Sequence, residues 1–119
     1  MAAITSFKEL EVWQAAMDLA SSIYKLTKGF PESERFGLTT QMRRAAVSVP
    51  SNIAEGHRRT RAAYINHLQI ALGSVAEVET QLLLAVRLHF CSEPGAAEPL
   101  AMIDRTGQML HALLRSLRS

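Results

Sequence analysis

Gln41-Met42-Arg43-Arg44-Ala45-Ala46-Val47-Ser48-Val49-Pro50-Ser51-Asn52-Ile53-Ala54-Glu55-Gly56-His57-Arg58-Arg59 is the stretch that decides the fold of this chain. Leu38, Met42, Ala45, Val49 and Ile53 recur at three- and four-residue steps, the period of one face of an α-helix. They predict a helix over about residues 34–56, its start blurred by Gly37 and its end set by Gly56 as a C-cap. Pro50 falls inside the period and removes one backbone hydrogen bond, at a cost of about 3 kcal/mol in a plain helix interior. Because the apolar steps continue across it, the expectation is a kink between Ala46 and Pro50, with a break into two short helices as the alternative. Beyond Gly56 the chain enters a basic turn.

Three further helices flank this one. Ser6-Phe7-Lys8-Glu9 reads as a capping box, so a helix over about 7–28 follows, its stripe running through Leu10, Trp13, Met17, Ala20, Ile23 or Tyr24 and Leu26 or Thr27. Gly29-Phe30-Pro31 ends it, glycine supplying a left-handed exit. Thr60 caps the longest helix, over about 61–90, with the stripe Tyr64, Leu68, Ala71, Val75, Val78, Leu82, Val86. Residues 92–99, with Pro94 and Pro99, read as a turn-rich connection to a last helix over about 96–117, striped by Leu100, Ile103, Thr106 or Gly107, Leu110, Leu113 or Leu114 and Leu117. No segment alternates as a strand does. Four amphipathic helices with short connections predict an all-α, up-down-up-down antiparallel four-helix bundle filling residues 1–119 as one domain.

Composition narrows the function classes. Apolar residues make up 48% of 119 residues, enough for one core without disulfides or metal. There is no signal-like start and no uninterrupted run of about 18 apolar residues, so the expected location is cytoplasmic, away from the membrane. Cys91 stands alone and reads as a small apolar residue at a helix end. The net charge is only +2, but between residues 35 and 61 Arg35, Arg43, Arg44, Arg58, Arg59 and Arg61 face Glu55 alone. An antiparallel bundle gathers the end of helix 2, the start of helix 3, the start of helix 1 and the end of helix 4 at one pole. Lys8, His57, Arg58, Arg59, Arg61, Arg115 and Arg118 meet there, offset by Glu9, Glu11 and Glu55, while the opposite pole mixes signs.

The chain resembles the bacterial four-helix bundle proteins encoded in intervening sequences of 23S ribosomal RNA genes, the S23-type family, whose relatives include accessory proteins of diversity-generating retroelements. Leu10-x-Val12-Trp13-Gln14-x-Ala16, Phe30-Pro31-x-x-Glu34-Arg35-Phe36-Gly37-Leu38, Gln41-x-Arg43 through Gly56, and Ala71-x-Gly73-Ser74-x-x-Glu77-x-Glu79-x-Gln81-Leu82 carry the resemblance. It implies a homopentamer with a central channel, and no catalytic activity is implied; no cofactor is expected. In the retroelement branch it implies a partner role beside a reverse transcriptase, with binding to nucleic acid.

The candidate nucleic-acid-binding residues are Arg43, Arg44, Arg58, Arg59, Arg61, Arg115 and Arg118, whose guanidinia would meet phosphate, of RNA before DNA, by backbone and shape rather than base sequence. A protein partner with an acidic surface, such as a polymerase or reverse transcriptase, is the alternative. For Arg43 and Arg44 an ion pair competes with phosphate contact: counted from a turn near Arg58, Gly73 falls opposite Arg43, with Ser74 and Glu77 in reach. Ser48, Asn52, Glu55, Ser74, Glu77 and Gln81 interrupt apolar surfaces and are expected to form a polar network between helices and between subunits. No Glu-x-x-His pair occurs, and His57, His67, His89 and His111 lack ligand spacing, so no metal is expected. Ser48 and Ser74 have no base or oxyanion arrangement around them.

Overall fold

A computed structural model describes residues 6–119. Four helices, α1 (Glu11–Thr27), α2 (Leu38–His57), α3 (Arg61–Arg87) and α4 (Glu93–Arg118), form a rod of 47 × 25 × 21 Å. Each helix packs on its two neighbours in the order α1, α2, α3, α4 and back to α1, and the diagonal pairs make no backbone approach among the described residues. This is the antiparallel four-helix bundle that the helical periods predict. Its centre is filled by Leu19, Ile23, Met42, Val49, Ile53, Leu68, Val78, Leu82, Ile103 and Leu110, all fully buried or nearly so. The α2–α3 contact is the most extensive of the four.

α1 begins later than the sequence suggests. Ser6 Oγ accepts from Lys8 N at 3.2 Å, but the turn it caps is a single 3-10 turn, Phe7–Glu9, and Leu10 is extended before the helix starts. Glu9 N donates to the backbone oxygen of Ser6, not to its hydroxyl, so the capping box does not form. The buried face is Val12, Ala16, Leu19, Ala20, Ile23 and Thr27. It shares Ala20, Ile23 and Thr27 with the expected stripe, while Met17 and Tyr24 are both 41% exposed. The small Ala16 and Ala20 let α1 settle close to its neighbours, and the bulkier alternatives stay at the rim. No described glycine has positive φ, so the exit at Gly29 is not left-handed.

α2 runs unbroken through Pro50, and the two-helix alternative does not occur. Glu34 Oε1 accepts from Leu38 N at 3.1 Å, placing a carboxylate at the positive end of the helix where side-chain capping is otherwise missing. Gly56 is not the C-cap. It lies within the helix, which closes at Arg58, and a Cβ built on it would stand 2.7 Å from His67 Cβ and 3.0 Å from Tyr64 Cδ1. The glycine is required by proximity to α3 rather than by a turn.

Thr60 Oγ1 accepts from Ala63 N at 3.2 Å and starts α3. The helix stops at Arg87, short of Phe90, in a Schellman arrangement: His89 N donates to Val86 O at 3.0 Å and Phe90 N to Ala85 O at 2.9 Å. His89 takes the left-handed position, φ 61°, where glycine is usual. Phe90 then packs on Phe30, ring centroids 5.8 Å apart, tying the end of α3 to the α1–α2 connection. α4 begins at Glu93, not 96, because Ser92 Oγ accepts from Gly95 N at 3.0 Å and Pro94 falls in the first turn, where a missing N–H costs nothing. Pro99, read as part of a connection, is buried inside the helix.

α3 is the one described helix long and apolar enough to cross a membrane by length and composition. Its apolar surplus lies on two sides: one is the core, and the other carries the exposed Ile70, Leu83 and Leu84.

Two stability measurements check these contacts. Gly56→Ala should destabilise by about 1–3 kcal/mol in denaturant unfolding, because His67 Cβ cannot move without its backbone. His89→Gly should stabilise by roughly 0.5–1 kcal/mol, since glycine takes the left-handed position without strain.

Candidate nucleic-acid interface

The basic pole is assembled by side-chain contacts between elements distant in sequence. The α2–α3 turn brings Arg58 over the ring of Phe7 at 5.2 Å, and Phe7 meets Trp13 edge-on at 5.3 Å, so the start of α1 is held against this turn. Arg61 reaches across to the end of α4, its Nε donating to Leu117 O at 2.6 Å and its Nη2 to Ser119 O at 3.1 Å. Those carbonyls lie at the end of α4, where no amide of the helix can reach them, so Arg61 acts as a C-terminal cap from another helix. Arg115 and Arg118 follow in the last turn of α4, both exposed.

Carboxylates do little to mask this charge. Arg59 Nη1 lies 3.7 Å from Glu55 Oε1, an exposed pair worth about 0–1 kcal/mol. Arg58, Arg115 and Arg118 have no Asp or Glu carboxylate within 4.0 Å among the described residues. Beside them an open groove of about 540 Å³ is lined by Phe7, Ser51, Ala54, Glu55, Arg58 and Arg59. The pole can therefore hold anions on guanidinia and has apolar surface next to them.

Arg43 does not belong to it. Its Nε donates to Thr27 Oγ1 at 2.8 Å, its Nη2 to Tyr24 O at 3.4 Å, and its guanidinium lies 4.6 Å from the Tyr24 ring centroid. It clamps the end of α1 and is spent on the fold, making no contact with Ser74 or Glu77. A Cβ on Gly73 would meet nothing within 4 Å, so that glycine marks no close approach. Counting outward from the turn fixes the level of Arg43 along the rod but not its side: five residues before Ser48, it stands roughly 140° round the helix from the α3-facing edge. Arg44 is exposed on α2, away from the turn.

The α2–α3 seam carries a polar ladder. Ser74 Oγ donates to Ser48 Oγ at 2.9 Å, and Asn52 Nδ2 donates to Ser48 O at 2.9 Å and to Ser48 Oγ at 3.0 Å. Asn52 Oδ1 lies 3.0 Å from His67 Nδ1, an arrangement satisfied when Nδ1 carries the proton. His67 Nε2 then accepts from Arg59 Nη1 at 3.4 Å, with Glu55 4.0 Å away. Three of the six predicted network residues, Ser48, Asn52 and Ser74, are thus linked within one chain, and Glu55 sits at the ladder's end. Glu77 is exposed, while Gln81 is buried with Oε1 unpartnered. Sequence reasoning omits His67 from this network, although Asn52 and His67 lie nearly equidistant from the turn and that symmetry points to their meeting.

Burial pushes the Cys91 thiol up and so away from thiolate reactivity, and burial likewise raises the Tyr64 phenol. Among the described residues no group of three or more His, Cys, Asp or Glu side chains could hold a metal ion.

A family model described as 23S rRNA-intervening sequence protein matches residues 8–112, which include every part of the pole except Phe7, Arg115, Arg118 and the last residues of α4. The chain belongs to the 23S rRNA-intervening sequence protein family. Among solved structures it is similar to a protein of unknown function from the S23 ribosomal protein family of Bacteroides thetaiotaomicron, with a TM-score of 0.81 and 24% identity over 87% of this chain and 95% of that one. At that identity the likeness is one of fold. Among the curated proteins none matches. Membership of the 23S rRNA-intervening sequence family thus brings the bundle architecture and no assigned reaction.

The two kinds of arginine separate in a stability assay. Arg43→Ala should lower stability by about 1–2 kcal/mol, through removal of the hydrogen bond to buried Thr27 and of the cation–π interaction with Tyr24. Arg115→Ala should stay within about 0.5 kcal/mol of wild type.

Proposed function

We propose that this family member is a non-enzymatic, self-associating bundle that binds nucleic acid, RNA before DNA, by contact of its arginine pole with phosphate. The observation that carries the reading is the convergence of Arg58, Arg59, Arg115 and Arg118 from two chain segments on one end of the rod, with a single weak carboxylate contact among them. Phosphate contact asks for exposed guanidinia on one surface, and the exposure of these four supports it. Phe7 lies beneath Arg58 and is already engaged by Trp13, so stacking of bases has little surface to use and recognition falls on the backbone. Self-association is supported by the outer face of α3, where Ile70, Gly73, Glu77 and Leu84 succeed one another at helical spacing without covering side chains, and by the assembly that the family resemblance implies.

The test is titration with structured RNA over a range of salt. The affinity should fall steeply as salt rises. Replacing Arg58, Arg59, Arg115 and Arg118 by alanine should flatten the slope of log K against log salt by about 0.7–0.9 for each phosphate no longer neutralised, with thermal stability unchanged. Arg61 is kept, because its removal would uncap α4. Absence of binding, or binding indifferent to salt, rejects the phosphate reading and leaves the same guanidinia to an acidic protein surface, such as the polymerase or reverse transcriptase implied by the retroelement branch of the resemblance.

A further inference from the structure

Phe36 is 85% exposed, the most exposed of the large apolar side chains described. It stands between the 3-10 turn Glu32–Glu34 and the start of α2, with the Arg35 guanidinium 5.1 Å from its ring centroid and Arg35 in turn 3.6 Å from Glu32. Glu34, which caps α2, fixes the backbone directly before it. A phenyl ring held outward on a short, tied segment buries nothing within its own chain, and burying it elsewhere would remove about 150–250 Å² from water.

At the same end of the rod α3 presents a hollow. Thr80, Leu83, Leu84 and Arg87 line an open depression of about 320 Å³, walled mainly by the two leucines. The contact of Phe30 with Phe90 places the end of α3 at the pole where α2 begins, so the projecting ring and the hollow lie at one level along the bundle. Charge matches as well as shape. Arg87 forms the rim of the hollow, and the exposed Glu32 stands beside Phe36.

We infer that Phe36 of one copy seats in the Thr80–Leu83–Leu84–Arg87 hollow of the next, with Arg87 facing Glu32 across the contact. The inference rests on the self-association reading above and assigns it a surface. Projection and hollow are different patches of one chain, so the contact is head-to-tail; repeated around an axis along the rods, it closes a ring of subunits instead of stopping at a two-fold dimer. A single phenyl group does not suffice for a stable interface of about 800 Å² on each partner, and the adjoining α3 face with Ile70 and Gly73 supplies the remainder. Phe36 is then the anchor and the α3 face the surrounding seal.

Sedimentation of wild type, Phe36→Ala and Leu84→Arg, each checked for unchanged helicity, tests the assignment. Wild type should sediment as a closed oligomer, and each variant should dissociate at concentrations about tenfold higher or more. Mixing the two variants should give dimers, because Phe36→Ala keeps an intact hollow and Leu84→Arg an intact projection, so one contact per pair survives. Retention of the wild-type mass by Phe36→Ala overturns the inference and leaves self-association standing. A monomeric wild type overturns both.

Discussion

The approach of α2 to α3 at Gly56 governs where everything else lies. With Gly56 lacking a side chain, the His67 Cβ and the Tyr64 ring come within a distance that no methyl group would permit, and the two helices meet just before their connecting turn. A hairpin closed that tightly has little freedom of register. Ser48 then falls beside Ser74 and Asn52 beside His67, and their hydrogen bonds hold the register along the seam. Partly buried polar pairs of this kind add modest net stability, but a shifted register would leave them unpaired, and that penalty is larger than the gain. The seam is therefore specified by what a wrong alignment would cost.

The same closeness sets the electrostatics of the pole. A short turn between tightly packed helices leaves Arg58 and Arg59 nowhere to fold back, so Arg58 lies over Phe7 and Arg59 stays near His67 and Glu55. Arg61, at the first position of α3, is near enough to the end of α4 to take its last carbonyls. That contact joins the α2–α3 hairpin to α4, while Arg58 on Phe7, which in turn meets Trp13, joins it to α1, so the pole is both the most basic region and the place where three elements are bound together. A guanidinium in such a structural role stays protonated, since hydrogen bonds to backbone oxygens favour its charged form. Arg61 still contributes to the field even though it does not offer its donors to a ligand.

How much of this the sequence made legible follows from how many competing patterns each segment carries. α2 and α3 have one apolar stripe each at the core, and Met42, Val49, Ile53, Leu68, Val78 and Leu82 are buried as their spacing requires. On α1 the expected stripe meets the core at Ala20, Ile23 and Thr27, but in the first turns spacing cannot choose between Trp13–Met17 and Val12–Ala16–Leu19; the space between α2 and α4 does. The start of α4 is obscured when Pro94 and Pro99 are treated alike as turn markers, whereas the Ser92 cap makes the first harmless and the core accepts the second. At the pole, charge and topology suffice to bring Arg58, Arg59, Arg61, Arg115 and Arg118 to one end. They do not reveal that Arg43 is drawn to Thr27 and Tyr24, because which neighbour, α1 or α3, an arginine of α2 faces depends on how the helix is rotated in the bundle.

Arg43 and Arg58 show why arginine content alone is a poor guide to a polyanion site. Both guanidinia rest on an aromatic ring, at 4.6 Å on Tyr24 and 5.2 Å on Phe7. Arg43 also donates to a buried hydroxyl and a helix carbonyl, which fixes its plane and occupies donors that a phosphate would need. Arg58 is oriented by its ring alone, so its five N–H donors stay available to solvent while the aromatic face limits the entropy lost when they engage an anion. Orientation without occupancy is the condition a phosphate contact requires. At the pole it is met on an aromatic residue from the turn before α1, which ties the proposed binding surface to the integrity of the bundle end rather than to the α2–α3 turn sequence alone.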